Sequence, residues 1–123
     1  MQVIVLLERT IEVSLLFDFY GELLTERQQQ TIRLYYFQDL SLSEISEELN
    51  ISRQGVYDHL HRAEKILHEY ENKLGLVNKY RKFRNNLNDL YKYIDGVFSE
   101  KEKENMKVKK EILSRINKIK QKL

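Results

Sequence analysis

Residues 42–63, LSEISEELNISRQGVYDHLHRA, decide the fold of this chain. Ser41 with Glu44 has the spacing of a capping box, which predicts the start of a short helix. Ser52 is a good N-cap for a second helix, and only Asn50 and Ile51 separate it from the end of the first. The apolar residues of both segments must bury against one another, which predicts a helix-turn-helix. The second helix of this motif can enter a DNA major groove, although the same pattern also occurs in folds that never touch DNA.

The flanking sequence continues the helical pattern. Helix one is predicted over about residues 8–24 and helix two over about 26–38, where Thr25 with Gln28 forms another capping box. Helix four is expected to end at Gly75. The positions predicted to face the core are Leu7, Ile11, Leu15, Leu16, Phe19, Tyr20, Leu23 and Leu24 in helix one, Ile32, Tyr35 and Tyr36 in helix two, Leu42, Ile45 and Leu49 in helix three, and Val56, Leu60, Ala63, Leu67 and Tyr70 in helix four.

The tail predicts two further amphipathic helices. Gly96 is expected to end the first, and Ser99 with Glu102 forms a third capping box that starts the last. The predicted stripes are Tyr80, Phe83, Leu87, Leu90, Ile94 and Val97, then Val108, Ile112, Ile116, Ile119 and Leu123. These helices could cover the first domain, each other or a second copy of the chain. We favour a homodimer, because the stripes are long for so small a first domain. The expected domains are residues 1–76 and a basic helical extension over 77–123.

Composition narrows the classes of protein. The 123 residues include no proline and only four glycines, which indicates an all-α chain. The absence of cysteine excludes a disulfide, a thiol nucleophile and a cysteine-ligated metal. We expect a soluble, cytoplasmic protein, because no segment has the pattern of a signal peptide or the length of a membrane span. No phosphate loop, nucleophile elbow or compact histidine cluster indicates an enzyme, a cofactor or a bound metal.

Charge divides the chain into two parts. Residues 1–78 hold 7 Lys and Arg against 13 Asp and Glu, a net charge of −6, whereas residues 79–123 hold 14 against 6, a net charge of +8. Such asymmetry is typical of a basic arm that meets nucleic acid or another acidic surface. A lysine-rich, solvated helix surface explains it equally well.

The motif of residues 42–63 resembles region 4 of bacterial sigma factors, through its Glu-Ile-x-x-x-Leu helix, its Ser-capped second helix, Val56, Leu60 and the His61-Arg62-Ala63 ending. A closer resemblance is to the YlxM-like family. It is carried over about residues 14–78 by five blocks that occur in order: Leu16-Phe17-Asp18-Phe19-Tyr20, Leu23-Leu24-Thr25-Glu26-Arg27-Gln28, Leu34-Tyr35-Tyr36, Asp39-Leu40-Ser41-Leu42 and Ser52-Arg53-Gln54-Gly55-Val56-Tyr57-Asp58. The resemblance implies a sigma region 4-like helix-turn-helix bundle. It also implies a regulatory protein without enzyme activity, whose gene lies beside those for signal recognition particle components.

The candidate DNA-binding residues follow from their places on the second helix. Arg53 and Gln54 occupy its first turn and pair naturally with guanine and adenine. With Tyr57 they form the predicted base-facing set, and Ser52, His61 and Arg62 form the phosphate-facing set. Plainer alternatives are a solvated helix start for the first two, core packing for Tyr57 and an ion pair with Asp58 for Arg62.

Charge within the motif counts against DNA binding. Glu44, Glu47, Glu48 and Asp58 outnumber Arg53 and Arg62, so the motif carries −2, and phosphate contacts need cations. One interpretation is therefore a dimeric DNA-binding regulator in which the tail supplies the cations that the motif lacks. The other is an interaction module for the RNA or the GTPases of the signal recognition particle that does not bind DNA. A purely structural dimer is the third.

Overall fold

The structure is a computed structural model that describes residues 2–98 and 103–122. Within these ranges it consists of six α-helices joined by short turns, with no strand. The helices are α1 (Gln2–Tyr20), α2 (Glu26–Ile32), α3 (Leu42–Leu49), α4 (Arg53–Leu74), α5 (Leu76–Val97) and α6 (Lys103–Lys122). The chain divides into two compact units, Met1–Val77 and Asn78–Leu123. None of the described helices is long and apolar enough to span a lipid bilayer.

Helix α4 is the centre of the first unit, where it packs against α1, α2 and α3. Its predicted apolar stripe is confirmed: Val56, Leu60, Ala63 and Leu67 are buried, and Tyr70 packs against them. Ile45 of α3 and Ile32 of α2 lie in the same core. The helix ends at Leu74 and, as predicted, is capped by Gly75, whose φ of +64° is the left-handed conformation that glycine adopts without strain.

Both capping boxes of the first unit form as predicted. The Thr25 side chain accepts a hydrogen bond from the Gln28 backbone N–H, and the Gln28 side chain accepts one from the Thr25 N–H. Ser41 and Glu44 make the same reciprocal pair. Local sequence signals therefore placed the starts of α2 and α3 correctly, because each box satisfies helix N–H groups without help from the rest of the fold.

Helix α1 corrects the prediction for helix one. It begins at Gln2 rather than near residue 8 and ends at Tyr20, followed by one 3-10 turn. The predicted inward residues Leu7, Ile11, Phe19 and Leu23 are exposed, whereas Val13, Leu16, Tyr20 and Leu24 are buried. Apolar residues surround most of this helix, so their spacing alone does not decide which row faces the core.

The end of predicted helix two also differs. After Ile32 the backbone continues as a π-helical turn over Arg33–Phe37, which closes with a hydrogen bond from the Gln38 N–H to the Arg33 carbonyl. The wider π-helical turn directs two consecutive side chains toward the core, since Tyr36 is buried and Tyr35 is partly buried. The inward orientation of Ile32 and of both tyrosines is thus confirmed, although the α-helix itself is shorter than predicted.

In the second unit α6 folds back along α5 as an antiparallel hairpin. The Lys120 ammonium lies 2.8 Å from the Asn88 Oδ1, and the Lys109 ammonium lies 2.9 Å from the Asp95 carboxylate. Between these contacts Ile116 is buried. The sequence left three arrangements open for these helices. The structure shows the one in which the two helices cover each other.

The stripes of the tail are only half covered. Leu87, Ile94 and Ile112 are partly buried, whereas Phe83, Leu90, Val97, Val108 and Ile119 are exposed. Gly96 lies inside α5, one residue before its end at Val97. The predicted capping box of Ser99 with Glu102, and Leu123 of the last stripe, lie outside the described residues.

Candidate nucleic-acid interface

A three-residue corner joins α3 to α4. Asn50 takes the left-handed conformation, with φ +55°, and reverses the chain. The Ile51 N–H then donates to the Ser46 carbonyl, and Ser52 caps α4 by accepting a hydrogen bond of 2.9 Å from the Gly55 N–H. Asparagine tolerates this backbone conformation better than most residues. The motif of residues 42–63 is therefore two helices joined by a tight turn, as predicted.

Gly55 fits the space beside this cap. A Cβ atom at position 55 would lie 3.2 Å from the Ser52 Oγ, closer than side chains normally approach. From sequence alone this glycine is merely a weak helix former. The structure gives it a role, because its lack of a side chain leaves the cap undisturbed.

All six candidate residues are exposed, namely Ser52, Arg53, Gln54, Tyr57, His61 and Arg62. Steps of three and four residues place Gln54, Tyr57 and His61 in one row along α4. Arg62 lies in the neighbouring row, four residues after Asp58. The helix therefore presents one outward row of three candidates with Arg53 at its start, and Arg62 lies to one side.

Gln54 is held by a carboxylate of its own helix. Its Nε2 donates a hydrogen bond of 3.0 Å to the Asp58 Oδ1. The sequence suggested Arg62 as the partner of Asp58, one turn later, but the contact lies one turn earlier. The second N–H and the Oε1 of the Gln54 amide are not used in this contact and can meet a base edge.

Tyr57 does not belong to the core. Its side chain is 46% exposed, and its ring meets that of His61 edge-on with centroids 4.1 Å apart. Together they border a cleft of about 140 Å³, whose other walls include Tyr36, Glu64 and Arg9. The alternative of core packing for Tyr57 is therefore wrong.

A hydrogen-bonded cluster of Arg9, Tyr36 and Glu64 holds α4 in place beside this cleft, and the sequence indicated only Tyr36, as a core residue. The Glu64 carboxylate, whose side chain is 12% exposed, accepts hydrogen bonds from Tyr36 Oη and from Arg9 Nη2, the latter at 2.6 Å. Burial and the hydrogen bond to Glu64 raise the pKa of Tyr36, and the hydrogen bond to Glu64 raises that of Arg9. Arg9 lies 55 residues from Glu64, so no local sequence signal could have indicated the pair.

Comparison with known proteins agrees with this geometry. Residues 7–112 match the family described as "Putative helix-turn-helix protein, YlxM / p13 like". The chain belongs to this family. The family is described by its helix-turn-helix, and the YlxM-like resemblance recognised in the sequence is confirmed.

Individual members of the family align over most of the chain. A UPF0122 protein of Desulforamulus reducens is 48% identical over 105 residues, which is 85% of this chain and 90% of the relative. A UPF0122 protein of Clostridium kluyveri is 42% identical over 89% of this chain and 100% of the relative. A third, from Geobacillus kaustophilus, is 46% identical over 72% of this chain and 81% of the relative. The family therefore shares both the helix-turn-helix and most of the tail.

Proposed function

We propose that this YlxM/p13-like chain is a regulator that binds duplex DNA through α4. The observation that carries the proposal is the exposed outer side of α4 after a tight corner, since in helix-turn-helix proteins this helix enters the major groove with its first residues at the base edges. A solvent-exposed Tyr57 supports it further, because a ring packed in the core could not contact a base.

In this proposal each candidate residue has a role. Arg53 donates to guanine, and Gln54 makes paired hydrogen bonds to adenine through its Oε1 and the N–H that Asp58 does not accept. Tyr57 contacts a base beside them. The phosphate contacts fall to Ser52, His61 and Arg62.

A homodimer is the second part of the proposal. Phe83, Leu90 and Val97 form one row of α5, and Val108 and Ile119 form a row of α6; these five residues define the apolar face, and each side chain is 45–58% exposed. Because the helices are antiparallel, helical geometry puts both rows on the same side of the hairpin. Two such faces would close a four-helix bundle. A dimer would also contain two α4 helices, one for each half-site of a two-fold symmetric DNA site.

One observation favours a different function. Asp58 lies beside the outward row of α4, and Glu44, Glu47 and Glu48 add three further carboxylates, so the motif repels phosphates. An interaction module for signal recognition particle components, in which the acidic helix-turn-helix contacts protein and the basic tail contacts RNA, fits that charge. The resemblance to the YlxM-like family, with its neighbouring genes, links either function to this secretion pathway.

Fluorescence anisotropy tests the DNA-binding proposal. The probe is labelled duplex DNA from the promoter region of the chain's own gene, with a scrambled duplex for comparison. We expect Arg53→Ala combined with Gln54→Ala to abolish the preference for the promoter, since each lost base contact costs about 1–3 kcal/mol. The matched control is Arg27→Ala with Gln30→Ala, which removes the same side chains from α2.

Two results would contradict the proposal. One is equal binding of the promoter by the wild type and the α4 variant. The other is the absence of any preference in the wild type, together with retention of signal recognition particle RNA or its GTPases in a pull-down at modest salt. The second result would establish the interaction module instead.

A further inference from the structure

The cations of the tail are concentrated at one end of the hairpin. Residues 78–88 of α5 and 112–122 of α6 contain no carboxylate. Together they carry eight cations, Lys79, Arg81, Lys82, Arg84, Arg115, Lys118, Lys120 and Lys122, which define the basic end. The other part of the tail within the described ranges, residues 89–98 and 103–111, contains five lysines and four carboxylates. Nearly all the net charge of the tail therefore lies at the basic end.

The antiparallel pairing brings the two cationic segments side by side. The contact between Lys120 and Asn88 joins them directly, and the Lys120 ammonium also lies 5.1 Å from the centre of the Tyr91 ring. The other end of the hairpin is joined by the ion pair of Lys109 with Asp95. Cations that are separated by some thirty residues of sequence thus lie at the same end of the hairpin.

These cations are accessible to an anionic partner. Seven of the eight are exposed, and Lys120 is partly buried. Arg84 contacts the Tyr80 hydroxyl at 3.3 Å, and Arg115 pairs with Glu111 at 3.0 Å, with both side chains more than half exposed. An exposed ion pair within one helix contributes little, so a phosphate can replace the Glu111 carboxylate.

The density of charge matches a nucleic acid. Eleven helical residues span about 16 Å, and duplex DNA carries one negative charge per about 1.7 Å of its axis. Over this length a duplex carries roughly ten phosphates, and the basic end carries eight cations distributed around its two helices. Flexible lysines act as point charges on phosphate and do not read base edges.

We propose that the basic end of the tail hairpin binds the phosphate backbone of duplex nucleic acid regardless of base sequence. This surface lies on the second unit and is distinct from the outer side of α4. It supplies the cations that the acidic helix-turn-helix lacks. The proposal does not require α4 to read bases, because the affinity it provides is electrostatic.

A salt titration of the full chain tests this inference. The probes are a DNA duplex of about 20 base pairs with scrambled sequence and the corresponding RNA duplex, each titrated between about 50 and 200 mM salt. The test variant carries Lys79→Gln, Arg81→Gln, Lys82→Gln and Arg84→Gln. We expect affinity to fall at least about tenfold on every sequence, and the slope of log K against log salt to become shallower by about 3. The duplex that binds with higher affinity identifies the natural ligand as DNA or as RNA.

A matched variant separates position from net charge. Lys92→Gln, Lys103→Gln, Lys107→Gln and Lys110→Gln remove four cations from the other part of the tail and should change the slope by less than half as much. Equal effects of the two variants would overturn the proposal, as would wild-type binding to phosphatidylserine vesicles without binding to either duplex. If the test variant melts at lower temperature than the wild type, Lys118→Gln with Lys122→Gln replaces it, with an expected change in slope of about 2.

The outcome is independent of the α4 proposal. If the variant with Arg53→Ala and Gln54→Ala loses the preference for the promoter while its salt slope stays unchanged, that result would support both the α4 proposal and the basic-end proposal. A shallower slope without any promoter preference in the wild type would support the basic end alone.

Discussion

At the scale of single residues, the hydroxyl of Ser52 sets the first turn of α4. It accepts the Gly55 N–H, one of the helix donors that has no partner within the helix. Gly55 leaves the space that this contact needs. The orientation of Arg53 and Gln54 therefore depends on the contact between Ser52 and Gly55.

Ser52→Ala is expected to lower the free energy of unfolding by about 1 kcal/mol, because the Gly55 N–H loses its acceptor. Urea unfolding followed by circular dichroism measures the change. Ser52→Asp keeps an acceptor at the cap and should restore most of the loss. Equal stability of the wild type and the alanine variant would show that the cap contributes nothing.

The Tyr36 hydroxyl makes the free energy of unfolding depend on pH in the alkaline range. Burial and the hydrogen bond to Glu64 raise its pKa above the usual value of 10.0. A tyrosine whose pKa is higher in the folded state stabilises that state fully below pH 10 and loses this contribution as pH rises through the folded-state pKa. The free energy of unfolding should therefore fall above about pH 10.

Tyr36→Phe tests this contribution. The variant should be less stable than the wild type at pH 8 by about 1–2 kcal/mol, since it loses a hydrogen bond to a carboxylate, and should lose less stability between pH 10 and 11.5. Tyr93→Phe, at a ring that is 69% exposed, should leave the free energy of unfolding at pH 8 unchanged. A pH dependence identical in Tyr36→Phe and the wild type would contradict the assignment.

At the scale of helices, the junction of α4 and α5 is built around Glu71. Its Oε1 accepts hydrogen bonds from the Tyr20 hydroxyl at 2.7 Å and from the Val77 N–H at 3.0 Å, while the Tyr20 oxygen accepts the Leu76 N–H at 3.1 Å. The first N–H groups of α5 therefore find partners on α4 and α1. With Gly75, these contacts end one helix and begin the next.

Glu71→Ala is expected to destabilise the first unit by about 1–3 kcal/mol, because it leaves the partly buried Tyr20 hydroxyl and Val77 N–H without this acceptor. Glu69→Ala, two residues away on the exposed side of α4, is the matched control and should change stability by less than about 0.5 kcal/mol. Thermal unfolding measures both. Similar losses in the two variants would mean that Glu71 acts only through helix propensity.

Helix boundaries were predicted best where the signal is local. Capping residues Thr25, Ser41 and Ser52 mark their helices correctly, because each cap is complete within four residues. The π-helical turn after Ile32 has no such signal. It accompanies the hydrogen bond of Tyr36 to Glu64 of α4, a contact 28 residues distant in sequence.

At the scale of the whole molecule, the proposed dimer predicts the mass of the species that sediments in solution. Two copies of the 14.9 kDa chain should sediment as one species at micromolar concentration. Leu90→Lys places a charge in the apolar face and should shift the equilibrium to monomer. Asn85→Lys, five residues before Leu90 and exposed, lies on a different side of α5 and should remain dimeric.

Analytical ultracentrifugation distinguishes these outcomes. A wild type that sediments at 14.9 kDa over the whole concentration range would contradict the dimer. So would a Leu90→Lys variant that stays dimeric, since a buried lysine without a partner is costly at an apolar interface.

The sequence by itself determined the all-α class, the helix-turn-helix corner, the stripe of α4 and the opposite charges of the two parts, because these depend on spacing, capping and composition. Only the tertiary structure decided which row of α1 is buried, where α6 lies, and that Arg9, Tyr36 and Glu64 meet. Those features arise from contacts between residues far apart in the chain, and a helix that is apolar on several sides carries no local mark of the side it buries.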